Sequence, residues 1–92
     1  MQVLWAPIAL RQVEQIFDYL EQFNPRAAEA VAVALITAGN SLKTFPHRGR
    51  PVAKTNKREI IAIYPYLIRY RIIGNTVRIL RVRHTARRPT KP

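Results

Sequence analysis

Apolar positions along this chain follow two periods, one after the other. From Pro7 to about Gln22, Val13, Ile16, Phe17 and Leu20 recur at the spacing of one helix face. Arg11, Glu14, Gln15, Asp18 and Glu21 take the opposite face. Pro7 suits the first turn, where its missing N–H costs nothing. Asn24-Pro25 repeats the start signal, a capping Asn followed by Pro at the first helical position. Ala28, Val31, Ala32, Leu35, Ala38 and Leu42 then form a second stripe, whose small residues allow close packing on the first. The two segments read as an antiparallel helical hairpin. Ahead of them, Gln2–Trp5 is short and apolar, an edge or joining strand.

Residues 44–57, TFPHRGRPVAKTNK, read as a loop carrying Arg48 and Arg50. Beyond it the period falls to two. Arg58–Tyr64 favours a strand through Ile60, Ile61 and Ile63, and Pro65 stops it. Leu67–Ile73 and Thr76–His84 are β-rich runs joined by Gly74-Asn75, where Gly at the first turn position suits a type II′ hairpin. The predicted class is α+β with the order β-α-α-β-β-β: an antiparallel sheet with the N-terminal helical hairpin packed on one face. One domain spans 1–92, and 85–92 is expected to be a loose basic tail.

A two-residue turn predicts the pairs Ile73/Thr76, Ile72/Val77, Arg71/Arg78, Tyr70/Ile79 and Arg69/Leu80. Strict alternation then assigns Ile68, Tyr70, Ile72, Val77 and Ile79 to the face under the helices. Leu67, Arg69, Arg71, Arg78, Leu80, Val82 and His84 fall on the other. That face is basic and apolar at once. Arg71 and Arg78 sit opposite each other, which destabilises a sheet unless an anion or an acidic partner offsets it. Leu67, Leu80 and Val82 are too apolar for plain solvent and call for a partner that covers them.

Charge sharpens this picture. The 92 residues hold 16 Lys+Arg against 5 Asp+Glu, a formal net charge of +11. Residues 1–40 carry two basic and four acidic residues, and Glu59 is the lone acid after residue 29. The C-terminal half therefore bears the electrostatic footprint, and an anionic partner is expected. With no cysteine, thiolate chemistry and disulfides are excluded. Two histidines and few acids leave no basis for a metal site, and no cofactor motif is present. The N-terminus lacks a basic signal-peptide region and no run approaches the ~20 apolar residues of a membrane span, so a cytoplasmic protein is expected.

Paired carboxylates are missing, so any catalysis must rest on arginines, lysines and one histidine. That restricts it to phosphodiester chemistry without a metal. His84 among arginines could act as a general base on an RNA 2′-hydroxyl, with Arg71 and Arg78 stabilising the charged phosphorane. It could equally be a hydrogen-bonding residue at a strand end. Tyr64, Tyr66 and Tyr70 could stack on bases, although the register assigns Tyr70 to the core.

Taken in order, VLWAPIALRQVEQIFDYL, NPRAA, FPHRGRPV, REII and YLIRYRIIGNTVRILRVRHTARR resemble the RelE/ParE superfamily of toxins from type II toxin–antitoxin modules. Together these segments cover nearly the whole chain. The GRP loop and the ILRVRH ending look most like the ParE/StbE branch. The resemblance implies the same β-α-α-β-β-β fold and one of two activities. ParE-like members poison DNA gyrase; RelE-like members are ribosome-dependent mRNA endonucleases. No tyrosine follows His84, a departure from the ribonuclease pattern that favours the gyrase-directed reading. The resemblance further implies a cognate antitoxin with an acidic, amphipathic C-terminal segment. Its contacts would fall on Leu67, Arg69, Arg71, Arg78, Leu80 and Val82, with Arg48 and Arg50 of the loop and Arg87 and Arg88 of the tail adding cations.

Overall fold

The structure is a computed structural model and describes residues 1–85. Its elements are β1 (Gln2–Trp5), α1 (Pro7–Glu21), α2 (Pro25–Asn40), β2 (Arg50–Pro51), β3 (Lys57–Ile63), β4 (Tyr66–Ile73) and β5 (Thr76–His84). Both helices begin at their prolines as the sequence predicts. Asn24 caps α2 by accepting a hydrogen bond from the Ala27 N–H at 3.1 Å. The β4–β5 turn has Gly74 at φ +56°, and Asn75 keeps a negative φ, the pattern of a type II′ turn.

The five strands lie in the order β1-β5-β4-β3-β2. Two features differ from the predicted sheet. The loop contributes a two-residue edge strand, β2, paired antiparallel with Glu59 and Arg58 of β3. The sheet is also mixed, because β1 pairs parallel with β5. Two successive hairpin turns point β5 the same way as β3, and β1 occupies the one free edge left beside β5.

α1 and α2 cover one face of the sheet. Leu35, Leu42, Ile68, Tyr70, Val77 and Ile79 are fully buried between the layers. Each such Leu or Ile contributes about 1.5–3 kcal/mol of transfer free energy. The two layers meet most tightly where Gly39 of α2 faces Trp5. A Cβ on Gly39 would come within 2.3 Å of the indole ring, so no larger residue fits. Trp5 also donates its indole N–H to Asn40 Oδ1 at 3.0 Å, tying β1 to the end of α2.

β1 stops before β5 does. The last paired residue is Trp5, opposite Ile79, and Ala6 N–H closes the ladder on the Ile79 carbonyl at 2.9 Å. Beyond that point α1 replaces the missing neighbour: Gln12 Oε1 accepts the Val82 N–H at 2.7 Å. Val82 is buried, so a Gln12→Leu substitution leaves an unsatisfied amide. The expected loss is about 1–3 kcal/mol in chemical denaturation, with Gln12→Glu, which keeps an acceptor, losing less.

Candidate functional site

β5 decides which side chains share a face. Its predicted pairing with β4 holds from Ile73/Thr76 through Tyr70/Ile79. There a β-bulge intervenes, and Arg69 pairs with Arg81 rather than Leu80. From the bulge onward Ile68 faces Val82, Leu67 faces Arg83 and Tyr66 faces His84. The extra residue inverts the alternation. Unbroken alternation would turn Arg81 and Arg83 under the helices as unpaired buried charges; the bulge returns both to the open face and sends Val82 inward. Two expectations are thereby corrected: Val82 and His84 belong to the helix-covered side. The signal was present in the doublet Ile79-Leu80, where two apolar residues interrupt the alternation of VRI and RVR.

The open face consists of rows running across the strands. The first is Leu4, Arg78, Arg71 and Lys57, from β1, β5, β4 and β3. The second is Arg81, Arg69, Glu59 and Arg50. The third is Arg83, Leu67 and Ile61. Lys57, Arg81 and Arg83 were not among the predicted site residues, since the bulge and the first residue of β3 bring them there. Glu59 is the one acid of these rows, and Arg69 consumes it. The Nε and Nη2 of Arg69 both donate to Glu59 Oε2, at 2.8 and 2.5 Å, with Glu59 buried. Among the described residues the Lys57–Arg71–Arg78 row has no such counter-ion.

The apolar surface of this face also differs from expectation. Leu67 is 2% exposed and Val82 is 3% exposed, so neither offers area to a partner. Leu4 at 42%, Ile61 at 50% and half-buried Leu80 present it instead.

The loop carrying Arg48 and Arg50 is fastened from below. Tyr70, fully buried, donates its hydroxyl to the Pro46 carbonyl at 2.7 Å and accepts the Gly49 N–H at 2.9 Å. Arg58 adds a donor to the Gly49 carbonyl at 2.7 Å. A Cβ on Gly49 would meet the Tyr70 hydroxyl at 2.5 Å, so this glycine is required for close approach. Arg48 is turned back to Ser41 Oγ at 2.8 Å, whereas exposed Arg50 ends the second row. A cleft of about 320 Å³ between them is lined by Arg48, Arg50, Glu59, Ile61 and Leu67.

His84 lies at the far end of β5. Its ring packs edge-on against Tyr66 at 5.3 Å, in a cleft of about 420 Å³ bounded by Gln12, Ile16 and Tyr19 of α1. It stands six positions along the strand from Arg78, about 20 Å of rise. The predicted trio of His84, Arg71 and Arg78 is therefore not assembled. Of the tyrosines proposed for stacking, Tyr64 is exposed, Tyr66 lies beside His84 and Tyr70 is committed to the loop. Arg87 and Arg88 lie outside the described residues. Among the described residues no helix is long and apolar enough to cross a membrane.

Known proteins resemble this chain over nearly its whole length. A family model described as the ParE toxin of the type II toxin–antitoxin system parDE matches residues 3–89. Toxin RelE2 of Caulobacter vibrioides is 44% identical over 86 residues, covering 94% of this chain and 97% of that one. Toxin RelE1 of the same organism is 36% identical, covering 89% of this chain and 90% of its own length. A solved structure of the chromosomal ParDE toxin–antitoxin system from P. aeruginosa shares the fold, with a TM-score of 0.81 at 20% identity. It covers 91% of this chain and 95% of that chain.

Removing the Tyr70 hydroxyl tests the fastening of the loop. Tyr70→Phe keeps the packing but strands the Gly49 N–H and the Pro46 carbonyl. A loss of about 1–3 kcal/mol is expected, with hydrogen exchange at Gly49 accelerated well beyond that of Ile68.

Proposed function

Because this chain belongs to the ParE toxin family of type II toxin–antitoxin systems, we propose that it poisons DNA gyrase and is held in check by a cognate antitoxin. The observation that carries this reading is the separation of His84 from Arg71 and Arg78. A nucleolytic centre needs a base within hydrogen-bond reach of the 2′-hydroxyl and a cation at the phosphate it attacks. Here the imidazole sits in the α1 cleft, where Arg83 is the one cation among the lining residues, and Arg71 and Arg78 lie toward the other end of the sheet's opposite face. A binding poison makes no such demand. It needs a rigid surface of distinctive charge, and the arginine rows of the open face supply one.

The antitoxin segment complementary to this face is acidic and amphipathic. Its apolar residues would cover Leu4, Leu80 and Ile61, and its carboxylates would meet Arg71, Arg78 and Arg81. Such a segment orders on binding, which suits a flat, charged receptor.

Thymidine and methionine incorporation, followed together in the first minutes after induction, separates the two activities implied by the superfamily. Gyrase poisoning predicts that DNA synthesis falls first while translation continues, and that His84→Ala remains toxic. An immediate collapse of methionine incorporation, relieved by His84→Ala, would establish the mRNA endonuclease instead. For the partner, Arg71→Glu and Arg78→Glu are each expected to weaken antitoxin binding about tenfold at low salt. The difference should shrink as ionic strength rises; unchanged affinity for both variants would remove this face from the interface.

A further inference from the structure

Helix α1 carries more apolar surface than its seat on the sheet requires. Ala9, Val13 and Ile16 turn into the core and supply the stripe that holds the helix there. A second stripe runs beside it. Ile8 and Tyr19 stand about three helical turns apart on one line of α1. Phe23 continues that line into the turn before α2. The Tyr19 and Phe23 rings meet edge to face with centroids 5.3 Å apart, yet Tyr19 is 54% exposed and Phe23 70%. Ile8 is exposed as well. A single aromatic ring in water is ordinary on a protein surface. A contacting pair that also borders a cleft is a patch of the kind partners use. The cleft of about 420 Å³ between α1 and the end of β5 opens against Tyr19, so the stripe has depth as well as area.

The charges flanking the stripe identify what fits it. Glu14, Asp18 and Glu21 are exposed on α1 and form a line of their own, on the side of the stripe away from the core. The two helices together carry four acids against Arg11 and Arg26. This reverses the character of the open face. An acidic segment is drawn to the arginine rows and repelled from the hairpin. Arg83, on the β5 wall of the cleft, is the one cation among its lining residues. The occupant that suits the stripe is a protein surface presenting apolar side chains with Lys or Arg beside them. A second copy of this chain offers such a face too, but a net charge of +11 on each chain opposes self-association.

We propose that the exposed side of α1, from Ile8 through Tyr19 to Phe23, is the surface by which the chain docks on its protein target. Tyr19 and Phe23 supply the buried anchors of that interface, and Glu14, Asp18 and Glu21 supply its charged rim. Target and antitoxin then meet opposite sides of the sheet, each matched by charge. The inference rests on the toxin reading, under which the docked protein is gyrase.

Growth inhibition at matched expression, antitoxin affinity and melting temperature, all measured on the full chain, test this together. The variant Tyr19→Gln, Phe23→Gln is compared with Val33→Gln, Phe45→Gln, which removes two comparably exposed apolar side chains elsewhere. The first pair is expected to need at least about tenfold more protein to halve the growth rate, while binding the antitoxin within about twofold of the unmodified chain. The control pair should inhibit growth as the unmodified chain does. Full toxicity of the first pair would overturn the proposal. So would an equal loss of antitoxin affinity, which would give the stripe to the antitoxin, or an equal loss of toxicity in the control pair. The variant Glu14→Gln, Asp18→Asn, Glu21→Gln leaves both rings in place, so it carries the test should the first pair fail to fold. It is expected to lower toxicity severalfold, and full toxicity would overturn the basic character given to the partner. Sedimentation of the unmodified chain should show a monomer; a dimer abolished by the first pair would assign the stripe to a second copy instead. Surface plasmon resonance with DNA-free gyrase separates the docking surface from the identity of the target. Binding by the unmodified chain, weakened at least about tenfold in the first pair, is the expected result. Gyrase binding unchanged in the first pair would overturn the proposal. No gyrase binding by the unmodified chain, with toxicity still lost in the first pair, would reject the gyrase reading and leave the docking surface intact.

Discussion

A guanidinium cannot lie under the helices without a partner, and the last strand is built around that constraint. β5 carries three arginines that must face outward and four apolar residues that must face the core or a partner. Strict alternation satisfies this up to Ile79 and violates it afterward. One extra residue at Leu80 restores it, and the whole layout of the open face follows. Arg81 and Arg83 join the basic rows, Val82 enters the core, and His84 turns into the α1 cleft. Gln12 completes the arrangement by accepting the Val82 amide where β1 has ended.

Tyr70 performs a second coupling, between core and loop. Its ring fills the centre of the buried layer while its hydroxyl holds the backbone of Pro46 and Gly49. The loop therefore inherits the rigidity of the sheet, although it has only two residues of strand of its own. Arg50 thus ends the second row as a fixed charge. Preorganisation of this kind lowers the ordering cost of association.

Much of this fold was legible in the residues because its signals are local. Pro7 and Asn24-Pro25 mark the helix starts, and Gly74-Asn75 fixes the tightest turn. The parallel partnership of β1 was not legible, since it joins residues more than seventy positions apart and leaves no mark on either segment. The candidate face was half legible. Arg69, Arg71 and Arg78 precede the bulge or oppose it, so alternation alone places them on the open face. Val82 and His84 follow the bulge, where unbroken alternation gives the wrong side. A strand keeps its alternation until a residue is inserted, and then every later side chain changes face. The cue was the energy of burying Arg81, which outweighs the preference for unbroken pairing.

The partnership of β1 with β5 also ties assembly of the surface to the arrival of β5. β5 sits between β1 and β4, so the strand made last fills the gap between the strand made first and the rest of the sheet. A nascent chain that has emerged only as far as β4 lacks Arg78, Arg81 and Arg83 and leaves Trp5 without Ile79 beside it. Contacts of such long sequence separation form late and cooperatively. Without β5 there is no finished basic face, and the three rows of the open face appear together when that strand docks between β1 and β4.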